Sequence, residues 1–331
     1  MEVIKPNWMA TPEGAASIQT AMITGKLSAD AICCIFEYCD THGVSPAVFA
    51  QLVAVTRQHM RAVHVTRAPL MDLCGTGGDG CNTINISTAA AVIVAAAGIP
   101  VAKHGNRAAS SQCGSSDVLE ALGVPLMQTP EQSLEQLHEL GLTFLFAPLY
   151  HPALKHVREA RSQYGKKTYF NKMGPLLNPM PVTHQVIGLA NPNDIVDMAP
   201  VLHHHGVQRV AFVSGQFGED EVSIAGRTQI QYMESDGRVH TQWFHPNDVG
   251  VSVRPLAAIQ GGDAQYNAKK LKKIWNNDAE SAYQDVVMLN AMMAIHVCKN
   301  KPFSQCFDDA FLACESRKTS RLAALLCGGQ A

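Results

Sequence analysis

A glycine-rich loop with one acid in it is the first segment of the sequence that could do chemistry. Residues 70–80 are LMDLCGTGGDG, so a short apolar run ends in a glycine cluster that contains Asp79. The backbone N–H groups of such a loop bind phosphate oxygens, and a helix that begins nearby adds its own free N–H groups and partial positive charge. Thr83, Asn85, Ser87 and Thr88 follow, and we predict that a helix begins at Ser87-Thr88. The segment therefore predicts a binding site for an anion. The negatively charged Asp79 within this site needs an explanation.

Two known nucleotide-binding loops have similar glycine spacings. Gly75-x-Gly77-x-x-Gly80 matches the dinucleotide fingerprint, but the polar segment CNTINIST separates it from the helix, and Lys103 stands where an acid would bind ribose. The spacing also fits a nucleotide P-loop, in which Cys81 would occupy the lysine position. The sequence therefore argues against both motifs.

A second polar loop follows the next predicted strand, IPVAK, in the segment KHGNRAASSQCGSSD. Adjacent parallel strands bring their loops to the same carboxyl edge of a sheet, where α/β proteins bind ligands. We expect the two loops to form one site for several phosphates. The cations and hydrogen-bond donors of the second loop are Lys103, His104, Asn106, Arg107, Ser110, Ser111 and Ser115.

The composition is that of a globular protein without a global charge. The chain has 331 residues, 47% of them hydrophobic, and 26 basic side chains nearly balance 28 acidic ones. We expect no recruitment of nucleic acid by a basic field, and no apolar run has the roughly 20 residues that a membrane helix needs. The ten cysteines are scattered, without a C-x-x-C pair or a basic-then-apolar signal segment, which predicts reduced thiols and a cytoplasmic protein.

Two kinds of periodicity divide the chain. Residues 1–68 have helical spacing, with Ser28 and Ser45 as N-caps, and we predict a small helical domain there. Residues 69–331 alternate short apolar runs with helical segments, which predicts a larger α/β domain with a mostly parallel central sheet. TQIQYME and RVHTQWF flank Ser235-Asp236-Gly237 and predict a hairpin that adds an antiparallel edge. The tail from about 280 is helical again.

At this point several blocks resemble one known family, the anthranilate phosphoribosyltransferases of tryptophan biosynthesis. Any single block is weak, but they occur in one order and at consistent spacing between about 69 and 300. The blocks are GTGGD (75–79), NIST (85–88), KHGNRAASS (103–111), GSSDVLEALG (114–123), FLFAPLYHPALKHVREAR (144–161), TYFNKMGPLLNP (168–179) and GEDEVS (218–223).

The resemblance implies a fold and a reaction. The fold is a helical domain hinged to an α/β domain of the nucleoside phosphorylase and phosphoribosyltransferase type. The helical domain would form a homodimer and would also supply part of the acceptor site. The substrates are phosphoribosyl pyrophosphate (PRPP) and anthranilate, used with Mg2+. A carboxylate in the loop, Asp79, would then accept from a ribose hydroxyl or a metal-bound water while backbone N–H groups bind pyrophosphate.

Site residues are also implied, position by position. The implied PRPP contacts are Gly75, Gly78, Asp79, Thr83, Asn85, Ile86, Ser87, Thr88, Lys103, His104, Gly105, Asn106, Arg107, Ala108, Ala109, Ser110, Ser111 and Ser115. The implied anthranilate contacts are Gly75, Asn106 and Arg161, and the implied magnesium ligands are Ser87, Asp220 and Glu221. No general base is expected, because the aromatic amine is already neutral; Lys103 and Arg107 would stabilise charge on the leaving pyrophosphate.

Three positions depart from the family's usual pattern. Lys167 stands where arginine is common, Lys172 lies in a segment that is usually more apolar, and Ser116 stands where alanine is frequent. None of them removes an implied contact. Lys172 bears on the choice of acceptor.

Two other functions remain open from sequence. Pyrimidine nucleoside phosphorylases share this architecture, but their glycine loop has a Lys-His-Ser-Thr-Gly-Gly pattern, whereas Leu73 and Cys74 precede the loop here. A paralogue that had lost catalysis and bound nucleic acid would be expected to lose the glycine loop or the acid pair and to gain a basic face. This chain keeps both features and has a formal net charge of −2.

Overall fold

The structure, a computed structural model, describes residues 6–65, 69–108 and 112–328. Its centre is a seven-stranded sheet with the order β3-β2-β1-β4-β5-β6-β7. The first five strands in chain order are parallel, and β6 and β7 are antiparallel additions at one edge. The strands are β1 (Met71–Gly75), β2 (Val101–Gly105), β3 (Leu142–Phe146), β4 (His184–Gly188), β5 (Arg209–Gly215), β6 (Thr228–Met233) and β7 (Val239–Phe244).

Helices connect and cover these strands, as the alternating periodicity predicts. They are α1 (Pro12–Ile23), α2 (Ala29–His42), α3 (Pro46–Gln58), α4 (Ile86–Ala96), α5 (Ser115–Ala121), α6 (Pro130–Leu140), α7 (Ala147–Tyr150), α8 (Lys155–Tyr164), α9 (Tyr169–Met173), α10 (Ile195–His204), α11 (Ala264–Trp275), α12 (Ser281–Lys299), α13 (Phe303–Glu315) and α14 (Lys318–Leu326).

Alternate residues of the inner strands enter different cores on the two faces of the sheet. In β5, Ala211 and Val213 face a core formed with α4 and α12, whereas Val210 and Phe212 face a second core on the other side of the sheet. Side chains of a strand point alternately to opposite faces. A sheet with helices on both faces therefore buries nearly continuous apolar strands, which explains why these runs lack hydrophobic-polar alternation.

The N-terminal helices share their core with later parts of the chain. Apolar residues of α1, α2 and α3 pack in one cluster with Val157 and Ala160 of α8 and with Tyr169, Phe170 and other residues up to Leu177. The helices of the first 65 residues therefore share one core with residues 155–177 and with one face of the sheet. A division at residue 68 stays a proposal, because this packing joins segments from both sides of it.

Local sequence predictions are confirmed at several termini. Ser28 and Ser45 cap α2 and α3, and their hydroxyls accept from the N–H groups of Ala31 and Val48. The hairpin forms as predicted, with Met233 paired to Val239 across the turn. Helix α4 begins at Ile86, one residue before the predicted start, because Asn85 is the N-cap. Among the described helices, none is both long and apolar enough to span a membrane.

Candidate active site

The two polar loops lie at the same edge of the sheet. β1 and β2 are parallel neighbours, so the glycine loop after Gly75 and the second loop after Gly105 both leave from their carboxyl ends. Asn85, at the start of α4, joins them, because its Nδ2 donates to the carbonyl of Cys113 in the second loop at 3.1 Å. The expected convergence of the loops is thus a feature of the structure.

The glycine loop is fixed to the neighbouring strand β4. Thr76 donates its backbone N–H to the carbonyl of Gly188 at 2.9 Å. Gly77 and Gly78 then adopt φ values of +66° and +72°, which side chains other than glycine rarely tolerate. These successive left-handed residues turn the chain sharply and leave Gly77 and Gly78 exposed at the sheet edge.

The acid pair after β5 packs directly against this loop. Oδ2 of Asp220 accepts from the backbone N–H of Gly77 at 2.8 Å. A Cβ on Gly75 would lie 2.5 Å from the same oxygen, so glycine is required for the close approach. Burial, and then the nearby Asp79 carboxylate, raise the pKa of Asp220 above its usual range. Asp79 therefore faces the acid pair, as its predicted metal-side role requires.

Glu221 faces the N-terminus of α4. Burial, followed by repulsion from Asp220, raises the pKa of its carboxyl well above the usual range, and the nearby backbone N–H of Ser87 offsets part of that rise. The first turn of α4 has no side-chain cap. The N–H of Ile86 donates to the carbonyl of Ile84, and the next N–H groups can bind an acid or a phosphate. Ser87, Asp220 and Glu221, the three implied metal ligands, are thus brought together.

The second loop is closed by α5. The carbonyl of Asn106 accepts from the hydroxyl of Ser115 at 3.2 Å and from the N–H of Ser116 at 3.1 Å. Arg107 is exposed, and its guanidinium contacts Asp117 at 3.1 Å and Glu120 at 2.8 Å. Arg107 is therefore held by carboxylates and would have to exchange them for a phosphate. Ala109, Ser110 and Ser111 lie outside the described residues.

Several implied PRPP contacts point their side chains into the protein, so those positions could contact PRPP mainly through their backbone. Nζ of Lys103 is buried and donates to the carbonyl of Leu73 at 2.5 Å. The ring of His104 packs against His151 on the opposite face of β2. Strand alternation forces this arrangement, because the side chains of adjacent strand residues point to opposite faces of the sheet. The side chains of Asn85, Ile86 and Thr88 are also turned inward or engaged by protein groups, so these positions can offer mainly backbone atoms.

Arg161 of α8 is a desolvated cation. Its guanidinium lies 5.5 Å from the centre of the Phe170 ring, and burial lowers its pKa. Among the described residues no carboxylate forms an ion pair with it. A partly buried guanidinium with that environment is suited to a planar carboxylate, which it can bind through two parallel hydrogen bonds.

Sequence reasoning gave Lys167 no role, yet the structure places it on the glycine loop. Its Nζ donates to the carbonyl of Gly78 at 2.7 Å. Beside this contact lies a cavity of about 400 Å3, between the C-terminal end of α2 and the loop, lined in part by Thr76, Gly77 and Tyr169. Lys172 also lines the cavity, but its ammonium pairs with Asp197 and lies 3.6 Å from Asp194.

No group of three or more His, Cys, Asp or Glu side chains within 6–65, 69–108 and 112–328 has the geometry to hold a metal ion alone. Mg2+ does not require such a cage, because it keeps several waters and binds through one or two carboxylates together with substrate oxygens. Asp220 and Glu221 satisfy that smaller requirement. Burial is the main cause of their raised pKa values, with the Asp79 carboxylate adding to the shift of Asp220 and the Asp220 carboxylate to that of Glu221. A divalent cation would relieve this accumulation of buried negative charge.

Comparison with protein families gives one match over most of the chain. The family described as "Glycosyl transferase family, a/b domain" matches residues 67–306. The chain is 41% identical to anthranilate phosphoribosyltransferase 2 of Nostoc sp. (strain PCC 7120) over 88% of its length and 78% of the relative. It is 45% identical to the anthranilate phosphoribosyltransferase of Sphingopyxis alaskensis over 70% of its length and 69% of that relative.

Solved structures show the same architecture. The anthranilate phosphoribosyltransferase of Thermus thermophilus superposes with a TM-score of 0.84 at 34% identity, covering 99% of this chain and 98% of that one. The enzyme from Saccharomyces cerevisiae in complex with PRPP and Mg superposes with a TM-score of 0.88, covering 97% of this chain and 92% of that one. Its identity is 21%, so this second likeness concerns the fold alone.

Proposed function

Since the chain belongs to the glycosyl transferase family, and within it to the anthranilate phosphoribosyltransferases, we propose that this site joins PRPP to anthranilate. The phosphoribosyl group moves to the aromatic amine, which gives N-(5-phosphoribosyl)anthranilate and pyrophosphate. This reaction is the second step of tryptophan biosynthesis from chorismate. The named relatives favour it over a nucleoside phosphorylase or a nucleic-acid-binding paralogue.

One observation carries the proposal: the glycine loop, the start of α4 and the acid pair meet at one point. The hydrogen bond from Gly77 to Asp220, and the closeness of Glu221 to the backbone N–H of Ser87, support a site that combines backbone donors with carboxylates. A polyphosphate needs the donors, and its bound metal needs the carboxylates. PRPP with magnesium has both requirements in one molecule.

We assign the metal to Ser87, Asp220 and Glu221, and the cofactor to Mg2+. The yeast enzyme, which has the same fold, was solved with PRPP and Mg, which supports Mg2+ as the cofactor. When bound, the ion would neutralise charge on the departing pyrophosphate. Asp79 lies next to Asp220 and can accept a hydrogen bond from a ribose hydroxyl or from a water on the ion.

The protein's own part in the chemistry is positioning and charge stabilisation. Backbone N–H groups of residues 78–80 and of the first turn of α4 would bind phosphate oxygens, whereas that of Gly77 is held by Asp220. Arg107 is exposed and would leave Glu120 for the ligand, whereas Lys103 is buried and acts through its positive charge below the loop. The sugar carbon becomes positive as pyrophosphate leaves, so stabilising the leaving oxygens lowers the barrier. No side chain need remove a proton beforehand, because the amine is neutral.

The acceptor's carboxylate is assigned to Arg161. Its guanidinium has no ion-pair partner within the described part of the chain, and the ring of Phe170 beneath it provides an aromatic surface. Asn106, at the edge of the second loop, and Gly75 would complete the contacts to anthranilate. Paired with Asp197, Lys172 presents little free charge to an acceptor.

Assembly and location are proposals of the same kind. We propose a homodimer formed through the N-terminal helical part, as the family resemblance implies. All ten cysteines lie in the described residues and have free thiols, which supports a cytoplasmic protein. Its partners would be small-molecule substrates.

The loss of anthranilate fluorescence on mixing with PRPP and Mg2+ tests the function. We expect the signal to fall only when all three components and the protein are present. No loss of fluorescence at any PRPP concentration would contradict the proposal. Cleavage of a pyrimidine nucleoside by inorganic phosphate, in place of this reaction, would also contradict it. Omitting each component in turn provides the controls.

A further inference from the structure

The acid pair lies in the loop between β5 and β6, residues 216–227, whose first part is strengthened from within. The buried carboxylate of Glu219 accepts from the N–H of Phe217 at 2.9 Å and from the hydroxyl of Ser223. These bonds join the two ends of that first part. They hold its shape, but they do not fix its place relative to the sheet and helices.

Asn290 provides a link from outside the loop. Its Oδ1 accepts from the backbone N–H of Val222 at 2.9 Å, and its Nδ2 donates to the carbonyl of the same residue at 3.1 Å. The amide therefore satisfies both backbone groups of the residue that follows Glu221. A second donor bond from Nδ2 reaches the carbonyl of Val286 at 2.9 Å, so the side chain is anchored to its own helix.

The surroundings of Asn290 are otherwise apolar. It is 2% exposed, on a helix whose neighbouring residues Leu289, Ala291, Met292 and Met293 are in the main core. Burying an amide there is unfavourable unless its hydrogen bonds are made. All of the contacts found for Asn290 are with backbone atoms, two of them on Val222. A polar side chain in this core thus has one evident use, which is to fix the segment next to the acid pair.

We propose that Asn290 is a positioning residue for the metal site, acting through Val222 on Asp220 and Glu221. This inference rests on the proposed function, in which the acid pair binds Mg2+ with PRPP. Asn290 itself touches no substrate. Side chains that orient metal ligands typically change metal affinity about 10- to 100-fold when they are lost. Without the amide, the N–H and C=O of Val222 would be buried and unpaired, and the loop would move to satisfy them.

The test compares variants of similar size that differ in hydrogen bonding. Asn290→Leu fills the space but makes neither bond to Val222, whereas Asn290→Asp keeps an oxygen that can accept from its N–H. Mn2+ is the probe, and its free-ion electron paramagnetic resonance signal is titrated with the full-length protein and PRPP, without anthranilate. We expect Mn2+ binding at least about tenfold weaker in Asn290→Leu, with Asn290→Asp between that variant and the wild type.

A matched control is Gln185→Leu. Gln185 is a buried amide in β4 that donates to the carbonyl of Pro175 at 3.0 Å, away from the acid pair. We expect it to lower the melting temperature and leave Mn2+ binding unchanged. In steady-state kinetics, Asn290→Leu should raise the Mg2+ requirement and leave the KM for anthranilate unchanged at saturating PRPP and Mg2+. A purely structural role would lower stability without changing either metal measurement.

Wild-type Mn2+ binding in Asn290→Leu would overturn the positioning role. Should that variant not fold, wild-type binding in Asn290→Asp together with an unchanged Mg2+ requirement would overturn it instead. The double variant Asp220→Asn, Glu221→Gln separates this inference from the proposed function. If the double variant also binds Mn2+ normally, the metal assignment itself is wrong; if it loses binding while the Asn290 variants keep it, only the positioning role is wrong.

Discussion

The carboxylate of Asp220 is hydrogen-bonded to the main chain of Gly77, with 2.8 Å between Oδ2 and the amide nitrogen. These two residues are far apart in sequence but lie on loops that follow β5 and β1. The bond joins the glycine loop and the acid pair, the proposed phosphate and metal sites, into a single unit. Displacing either one should therefore disturb the other, which leads to the first prediction.

Gly75→Ala should reduce activity without unfolding the protein. A Cβ at this position would lie 2.5 Å from Oδ2 of Asp220, so the carboxylate must move. A displacement of about 1 Å at a reacting centre can cost 100-fold, and we expect kcat/KM for PRPP to fall by roughly 10- to 100-fold. The control is Gly174→Ala, where nothing lies within 4 Å of an added Cβ. Equal activity of the two variants would show that the contact is unimportant.

Arg161→Ala should weaken binding of the acceptor and leave PRPP largely unaffected. The reason is the isolated, desolvated guanidinium, which would lose a pair of charge-assisted hydrogen bonds to the anthranilate carboxylate. We expect the KM for anthranilate to rise at least about tenfold. Arg158→Ala, an exposed arginine on the same helix, is the matched control. A similar rise in both substrates' KM values would refute the assignment.

Glu120→Gln should make PRPP bind more tightly. In the structure Glu120 holds Arg107 by two hydrogen bonds, at 2.8 and 3.1 Å, and PRPP must break them to recruit that arginine. Because exposed ion pairs contribute little to stability, we expect a change of about two- to threefold in KM for PRPP and an unchanged melting temperature. Arg107→Ala should have the opposite effect on KM. If neutralising Glu120 weakened PRPP binding, Arg107 would not be the group that exchanges partners.

His151→Gln should flatten the pH dependence of stability. Burial lowers the pKa of His151 to about 4, whereas an unfolded histidine titrates near 6.5. Below pH 6.5 the unfolded chain therefore binds a proton that the folded chain does not, so stability falls as the pH drops from about 6.5 towards 4. The loss from this residue is at most roughly 3 kcal/mol.

Glutamine can keep the donor that Nε2 of His151 presents to the carbonyl of Leu177, but it does not titrate. Melting temperatures of the wild type and His151→Gln at pH 7 and pH 5 provide the measurement. The melting temperature of the variant should fall less between pH 7 and pH 5 than that of the wild type. His138→Gln, on the exposed side of α6, is the control and should follow the wild type. Identical pH slopes for all three proteins would contradict this effect.

The sheet and its two loops were predictable because each depends on local sequence. Short apolar runs that end in glycine predicted β1 and β2, and the Asp236-Gly237 turn predicted the hairpin of β6 and β7. Once the strands are parallel, the geometry of the sheet forces both loops to one edge. The closeness of the glycine loop and the second loop followed from this rule, without any knowledge of contacts.

Side-chain directions and distant partners were not predictable in the same way. The pairing of Arg107 with Glu120, the contact of Lys167 with Gly78 and the bonds of Asn290 to Val222 join positions whose proximity depends on packing. Strand alternation could have shown that Lys103 and His104 point to opposite faces. Nothing in the spacing of Asn290 distinguishes it from an ordinary polar residue of a helix.

The most direct test of the central claim is a calorimetric titration of PRPP into the protein with and without Mg2+. A single site formed by the glycine loop, the second loop and the acid pair predicts one PRPP per chain and tighter binding with the metal. It also predicts that the Asp220→Asn, Glu221→Gln double variant loses the effect of the metal. Two independent sites, or PRPP binding that is equally tight without Mg2+, would contradict the account.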